Sequence, residues 1–207
     1  MISIRLLSVE EEIMTKKEAI LVAGTKLFAR KGFNGTSMAE LAEMTDIAGA
    51  TIFYHFSNKE ELFLAVLEKT KDGLLKAFDD YFNEKIFESG LEMVEGVVSF
   101  FLYMAGLREE WFMLLHRNHP YRLAEVNPVC RRHLEVIYNC FVDIFERAIR
   151  RGKADGSIRE VSSHKTALIL LAMVDGVVRF KTYQLYNAGA LYNNLIELCR
   201  NMLKKQT

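Results

Sequence analysis

Three features of this 207-residue chain predict an all-α fold. Apolar residues recur at helical steps of three and four in most windows, strand-like alternation is scarce, and the only prolines are Pro120 and Pro128. Half of the residues are hydrophobic (50%), which argues against disorder and favours one small unit joined to a larger one. Lys plus Arg equals Asp plus Glu at 27 each, so there is no global basic field, and any case for nucleic acid has to be made locally. Cys130, Cys140 and Cys199 are odd in number and widely spaced, which fits a reducing compartment better than a disulfide framework. No apolar run reaches the ~18 residues of a membrane span. The longest, Ala167 to Val178, is interrupted by Asp175, and the cytoplasm is the expected address.

Residues 1–13 end in Glu10-Glu11-Glu12 and are too short and too weakly basic for a signal peptide. Met14-Thr15-Lys16-Lys17 makes a natural start, so residues 1–14 are read as a tail. The first helix puts Ile20, Ala23, Gly24, Leu27 and Phe28 on one face and stops at Lys31-Gly32, a basic last turn before a C′ glycine. A short helix follows, with Thr36 or Ser37 as N-cap, Glu40 as capping-box partner, and Leu41 and Met44 directed inward. Thr45 to Gly49 form a turn, and Ala50 to Phe56 form a second short helix that buries Ile52 and Phe56 at i and i+4. Thr51, Tyr54 and His55 are then exposed together. Two short helices joined by a tight turn, the second presenting hydroxyls and an imidazole, have the composition of a helix-turn-helix that enters a DNA major groove. An ordinary helical hairpin would share this pattern, and no base-reading Arg, Asn or Gln is present.

From Ile20 to Leu67 the frame Ala23-x4-Phe28-x3-Gly32, then Thr36-Ser37, Leu41-Ala42 and Ala50-Thr51-Ile52-Phe53-Tyr54-His55-Phe56-x-Asn58-Lys59-Glu60-Glu61-Leu62, resembles the DNA-binding domain of the TetR family of bacterial transcriptional repressors. The resemblance covers about a quarter of the chain. It implies a three-helix DNA-binding domain over residues 15–75 and an effector-binding and dimerisation domain over 76–207, about nine helices in all. The DNA contacts it implies come from Thr51, Tyr54 and His55, beside Gly49, Ala50 and Phe53, while Thr36, Ser37 and Lys59 grip the backbone. Three departures thin the direct readout. Ala48 stands where the family usually carries a capping residue, at a cost of roughly 0.5–2 kcal/mol. Gly49 has no side chain to read a base, and Phe53 replaces the usual Tyr.

Ser57 or Asn58 caps a long fourth helix carrying Leu62, Val66, Leu74, Phe78 and Tyr81. Lys59 opposes the helix dipole in its first turn, which points to a phosphate there. Leu91 to Leu115 is apolar on most sides and reads as a buried or cavity-lining helix, extended by Trp111 and Phe112 until His119-Pro120 ends it. A helix from about Val126 to Arg151 follows, and Lys153 to Ser157 form a turn. Ser162-Ser163 caps a helix to about Tyr186, in which Asp175-Gly176 keeps helical spacing rather than making a hairpin. The last helix carries Leu191, Leu195, Leu198 and Met202 in a seam suited to pairing, and Ala172 and Gly176 permit close helix approach. The family typically dimerises through its last two helices, and Met173 to Val177 is similar to the corresponding stretch. The expected partners are therefore a near-palindromic operator, a second copy of the chain and a small apolar or aromatic effector. That effector is placed among Phe100, Tyr103, Met104, Trp111, Phe112, His133, Tyr138 and Phe141.

A metal- or redox-responsive regulator is the alternative. His116-x2-His119 and Cys130-x2-His133 are two i, i+3 pairs, enough donors for zinc, although they fall on separate helices. The cysteines lack any pattern that would depress a thiol pKa. An enzyme lacks support, because no phosphate-binding glycine loop, nucleophile motif or zinc-hydrolase signature is present. A helical interaction module without DNA remains as a third class. No metal or cofactor is expected.

Overall fold

The computed structural model describes residues 15–205, so the reading of residues 1–14 as a tail lies outside the described residues. Among these residues there are ten α-helices: α1 (Lys16–Lys31), α2 (Met38–Thr45), α3 (Gly49–His55), α4 (Lys59–Glu84), α5 (Gly90–Leu107), α6 (Glu109–Leu115), α7 (Asn118–Val126), α8 (Pro128–Ala154), α9 (Ser163–Thr182) and α10 (Tyr192–Leu203). A 3-10 turn, Ala188–Leu191, leads into α10.

The all-helical fold is as expected, with one helix more than the nine anticipated. The apolar run from Leu91 to Leu115 breaks at Arg108, whose φ of −120° and ψ of 50° leave helical space, dividing α5 from α6. Nor does Pro120 end a helix. It lies in the first turn of α7, where its missing N–H had no intrahelical acceptor to lose, and Pro128 opens α8 for the same reason. Local capping fixes the other starts. Thr15 and Glu18 form a reciprocal capping box at α1, and Ser37, Asn58, Ser89 and Asn127 each accept an N–H in the first turn of α2, α4, α5 and α8. Ser162 precedes α9 without making that bond.

The 27-residue α8 is the hub, packing on α4, α5, α7 and α9. Its Phe141 meets Phe78 of α4 at 5.1 Å and Phe101 of α5 at 4.9 Å between ring centroids, and Phe101 meets Phe112 of α6 at 5.3 Å. By length and composition α5 could cross a membrane, contrary to the sequence reading, but Val94, Val97, Val98 and Phe101 bury its inner face in this core. The start of α5 lies so close to α8 that a Cβ on Gly90 would fall 1.9 Å from the backbone nitrogen of Gly152. Asp155 accepts the Gly90 N–H at 2.7 Å and Ser157 the Leu91 N–H at 3.1 Å, which ties the first turn of α5 to the end of α8.

At α1 the smaller N-terminal unit meets the rest, because α1 packs on α2 and α4 and also on α6. The indole of Trp111 of α6 abuts α4 at Gly73, where an added Cβ would come within 2.3 Å of the ring. Gly73→Ala must therefore displace the indole. Overpacking of this kind costs about 1–3 kcal/mol. The variant should show a lowered melting temperature and a red-shifted tryptophan emission; wild-type values for both would contradict the packing described.

Candidate nucleic-acid interface

Leu41, Ile52 and Phe56, all buried, hold α2 and α3 against α1. Asp46, in the left-handed region at φ 54°, turns the chain between the two helices, and its N–H bonds the carbonyl of Ala42. Ala48 precedes α3 without a side-chain cap, as the sequence indicates. With Ile52 and Phe56 turned inward, α3 presents its other side to solvent. Tyr54 is 85% exposed and Phe53 53%; Ala50 is exposed as well, while Gly49, Thr51 and His55 are half-buried. Tyr54 and His55 contact edge to face at 5.3 Å. The hydroxyl, phenol and imidazole anticipated from the spacing thus lie on one helix, most openly at Tyr54.

Several expectations need correction. Ser37, not Thr36, caps α2, accepting the Glu40 N–H at 3.0 Å. Thr36 is buried, and its hydroxyl donates to the Gly32 carbonyl at 2.9 Å, so that hydroxyl is unavailable to a DNA backbone. Lys59 is half-buried: its ammonium donates to the Thr36 carbonyl at 3.0 Å and lies 4.5 Å from the centroid of the Phe33 ring. These two contacts account for a cation in the first turn of α4 without a phosphate. Met44 points outward, at 48% exposed, because α2 turns only Leu41 fully into the core.

Sequence reasoning missed Phe33 and Arg117, which join this unit to the larger one. Phe33 stacks on His119 of α7 at 3.8 Å and meets Phe63 of α4 at 5.6 Å, while Arg117, just ahead of α7, donates to the carbonyls of Ala29 and Arg30. Neither left a periodic signal, since both lie outside helix interiors.

The proposed ligand residues do not line one cavity. Phe112 and Phe141 are interlocked core, Met104 is buried, and Tyr103 points outward at 60% exposed, because α5 turns only one face to α8. Phe100 stacks on Tyr81 at 4.0 Å, and Trp111 abuts Gly73. His133 lines a surface groove between α4 and α8, whereas Tyr138 lines a separate cleft of about 350 Å³ with Tyr121, Ala124, Arg131, Leu134, Glu135 and Asn139. Inside that cleft the hydroxyls of Tyr121 and Tyr138 bond at 2.5 Å, and burial raises both phenol pKa values.

The last-helix seam is likewise divided. Leu195 is 5% exposed and belongs to the protomer's own core, Met202 is half-buried, and Leu191 and Leu198 face outward, Leu198 at 58%. A four-three repeat spreads over more than one face when the helix already packs inward through Leu195, Cys199 and Leu203. On α9, Ala172 is exposed and Gly176 opens onto empty space, flanked by exposed Leu168, Ile169 and Phe180.

The metal alternative finds no support. His116 bonds Asp175 and Thr182, His119 stacks on Phe33, Cys130 donates to the Pro120 carbonyl, and His133 lies in its own groove. Among the described residues no three His, Cys, Asp or Glu side chains gather to hold an ion. Burial pushes the thiols of Cys130, Cys140 and Cys199 up to about 11, away from the reactive thiolate.

Comparison with known proteins agrees with this geometry. Residues 20–66 match the family described as bacterial regulatory proteins, tetR family. The HTH-type transcriptional regulator YfiR of Bacillus subtilis is 27% identical over 182 residues, covering 84% of each chain. Among solved structures, a transcriptional regulator from Saccharomonospora viridis in complex with choline superposes with a TM-score of 0.80 at 21% identity, covering 92% of this chain and 98% of its own. The regulator FadR of Bacillus subtilis in complex with stearoyl-CoA gives 0.69 at 20% identity, covering 89% and 97%. The protein is a helix-turn-helix transcription regulator rather than an enzyme. Its helix-turn-helix segment is of the TetR type.

The junction carries a pH dependence. Burial among the rings of Phe33 and Phe63 holds the His119 imidazole below its ordinary range, with Glu60 opposing this and Lys59 reinforcing it. A depressed folded-state pKa means that the stability is present above the ordinary value of about 6.5 and is lost as pH falls through the folded value. Melting temperature should therefore drop more steeply toward pH 5 in the wild type than in His119→Gln. Parallel curves would remove His119 from the junction's energetics.

Proposed function

We propose that this protein is a homodimeric repressor of the cytoplasm that holds a near-palindromic operator through α2 and α3 and releases it on binding a small apolar or aromatic ligand. The observation that carries the reading is the open face of α3, on which Tyr54 and Phe53 project from a helix that is otherwise anchored to the core. Residues 15–75 form the DNA-binding unit and 76–207 the effector and dimer unit. Thr51, Tyr54 and His55 approach the groove, with Gly49, Ala50 and Phe53 close to it, and Ser37 lies toward the backbone.

Because Tyr54 is almost fully exposed, Tyr54→Ala should leave the melting temperature unchanged while weakening operator binding about tenfold, the size of one lost base-pair contact. Unaltered affinity for duplexes from the upstream region would remove α3 from the groove.

The dimer assignment follows from the outer stripe of α9. Leu168, Ile169, Ala172, Gly176 and Phe180 succeed one another at helical spacing, and Leu198 and Leu191 add apolar surface from the neighbouring turn and helix. A two-fold axis there would place two copies of α3 to meet successive major grooves ~34–36 Å apart. A Cβ at Gly176 meets nothing within 4 Å, so Gly176→Leu leaves the protomer intact and obstructs only a partner. Sedimentation should show a folded monomer without operator affinity; a dimeric variant would place the interface elsewhere.

The 350 Å³ cleft at Tyr121 and Tyr138 is of ligand size and largely apolar, and it adjoins the aromatic core through Phe141. The choline and stearoyl-CoA complexes of the two structural neighbours support effector binding in this fold. An occupant that parts the two phenols would push on the core between α4 and α8. Coupling of 1–3 kcal/mol changes operator affinity roughly 5–150-fold. Titrating apolar and aromatic metabolites should change Trp111 emission and operator binding over one concentration range. Compounds that perturb Trp111 and leave DNA binding unchanged would refute the switch.

A further inference from the structure

Four successive residues, His116 to His119, run from the C-cap of α6 into the first turn of α7 and hold both ends of the molecule at once. On one side, the His116 side chain is completely buried; its Nε2 lies 3.0 Å from Asp175 Oδ1 and its Nδ1 3.3 Å from Thr182 Oγ1. The Tyr183 hydroxyl donates to the His116 carbonyl at 2.9 Å. Asp175 and Thr182 belong to α9 and Tyr183 follows it directly, so this end of the segment is fixed to the helix whose outer stripe is open.

On the other side, Arg117 reaches α1. The last carbonyls of a helix have no intrahelical donor, and those of Ala29 and Arg30 are two of them at the end of α1. Arg117 satisfies both, Nε donating to Ala29 at 2.8 Å and Nη2 to Arg30 at 2.5 Å. A guanidinium presents a rigid planar fork, so two bonds to successive carbonyls fix direction as well as distance. His119 then stacks on Phe33, one residue beyond the C-cap of α1. The path from α9 to α1 thus runs through adjacent residues of one short segment.

We infer that Arg117 is a positioning residue for operator recognition: by fixing α1 to the segment that α9 holds, it sets the separation of the two recognition helices and hence the half-site spacing that the protein accepts. The inference rests on the dimeric, DNA-binding reading above. Packing of α1 on α6 and α4 keeps the DNA-binding unit attached without Arg117, so its loss loosens the angle rather than detaching the unit. The exposed Arg30–Glu110 pair, at 3.4 Å across the same junction, lacks this leverage because surface pairs contribute little.

The test uses full-length wild type, Arg117→Ala, Arg117→Lys and, as a control, Arg30→Ala, each selecting duplexes from a random-sequence pool. Wild type and Arg30→Ala should recover paired half-sites at one separation, preferred about tenfold or more over separations one base pair away, within the range of ordinary coupling. Arg117→Ala should recover the same half-site sequence with neighbouring separations within about threefold of one another. Arg117→Lys keeps the charge and loses the fork; it should broaden the spacing similarly, and it serves as the test if the alanine variant melts early. Wild-type spacing discrimination in a folded Arg117 variant would overturn the inference and leave the dimeric regulator standing. A wild type that recovers only single half-sites, or none, would overturn both.

Discussion

A helix of seven residues is far too short to hold itself together in water, and α3 is such a helix. It lacks a side-chain cap as well, since Ala48 offers no oxygen to its free N–H groups. What keeps it helical is burial of Ile52 and Phe56 against α1 and α2, and that burial in turn decides which residues look outward. The surface offered to DNA follows from the core beneath it. The arrangement of α1, α4 and the junction with α7 supports this small contact, because any shift of α1 carries α3 with it.

Electrostatics adds little at long range. The chain is formally neutral, and two cations of the N-terminal unit are already engaged: Lys31 with Glu40, and Lys59 with a carbonyl and a ring. The neutral whole-chain charge supplies no long-range field, which leaves recognition to local contacts and to fit. Fit across two half-sites depends on the distance between recognition helices, so the joints inside the protomer matter as much as the groove contacts.

The helix-turn-helix was legible in the sequence because it is local: caps, a turn and an i, i+4 apolar pair occur within twenty residues of one another. The all-helical class was legible from periodicity. Periodicity names a face, however, and not what covers it. Thus Leu195 and Leu198, three apart, fall on opposite sides of the protomer's boundary, and Tyr103 points away from a core that its neighbours enter. Thr36 and Lys59 were misread for a related reason: Thr36 finds its partner across a turn, in Gly32, and Lys59 finds its own beyond α2 and α3, in Thr36, where residue type alone suggests an outward polar group. Arg117 and His116 were invisible as a bridge because their partners are about 60 to 90 positions away in the chain.

The three native thiols have a practical consequence. Cys130 and Cys199 are buried and Cys140 half-buried, and burial pushes all three thiols up to about 11, so maleimide and methanethiosulfonate reagents meet poorly accessible, weakly ionised native thiols. A cysteine introduced on the solvent side of α3 would therefore be labelled selectively without removing Cys130, Cys140 or Cys199 from the packing. Spin labels placed that way would report the distance between the two halves of a dimer directly, in the natural background, with and without DNA.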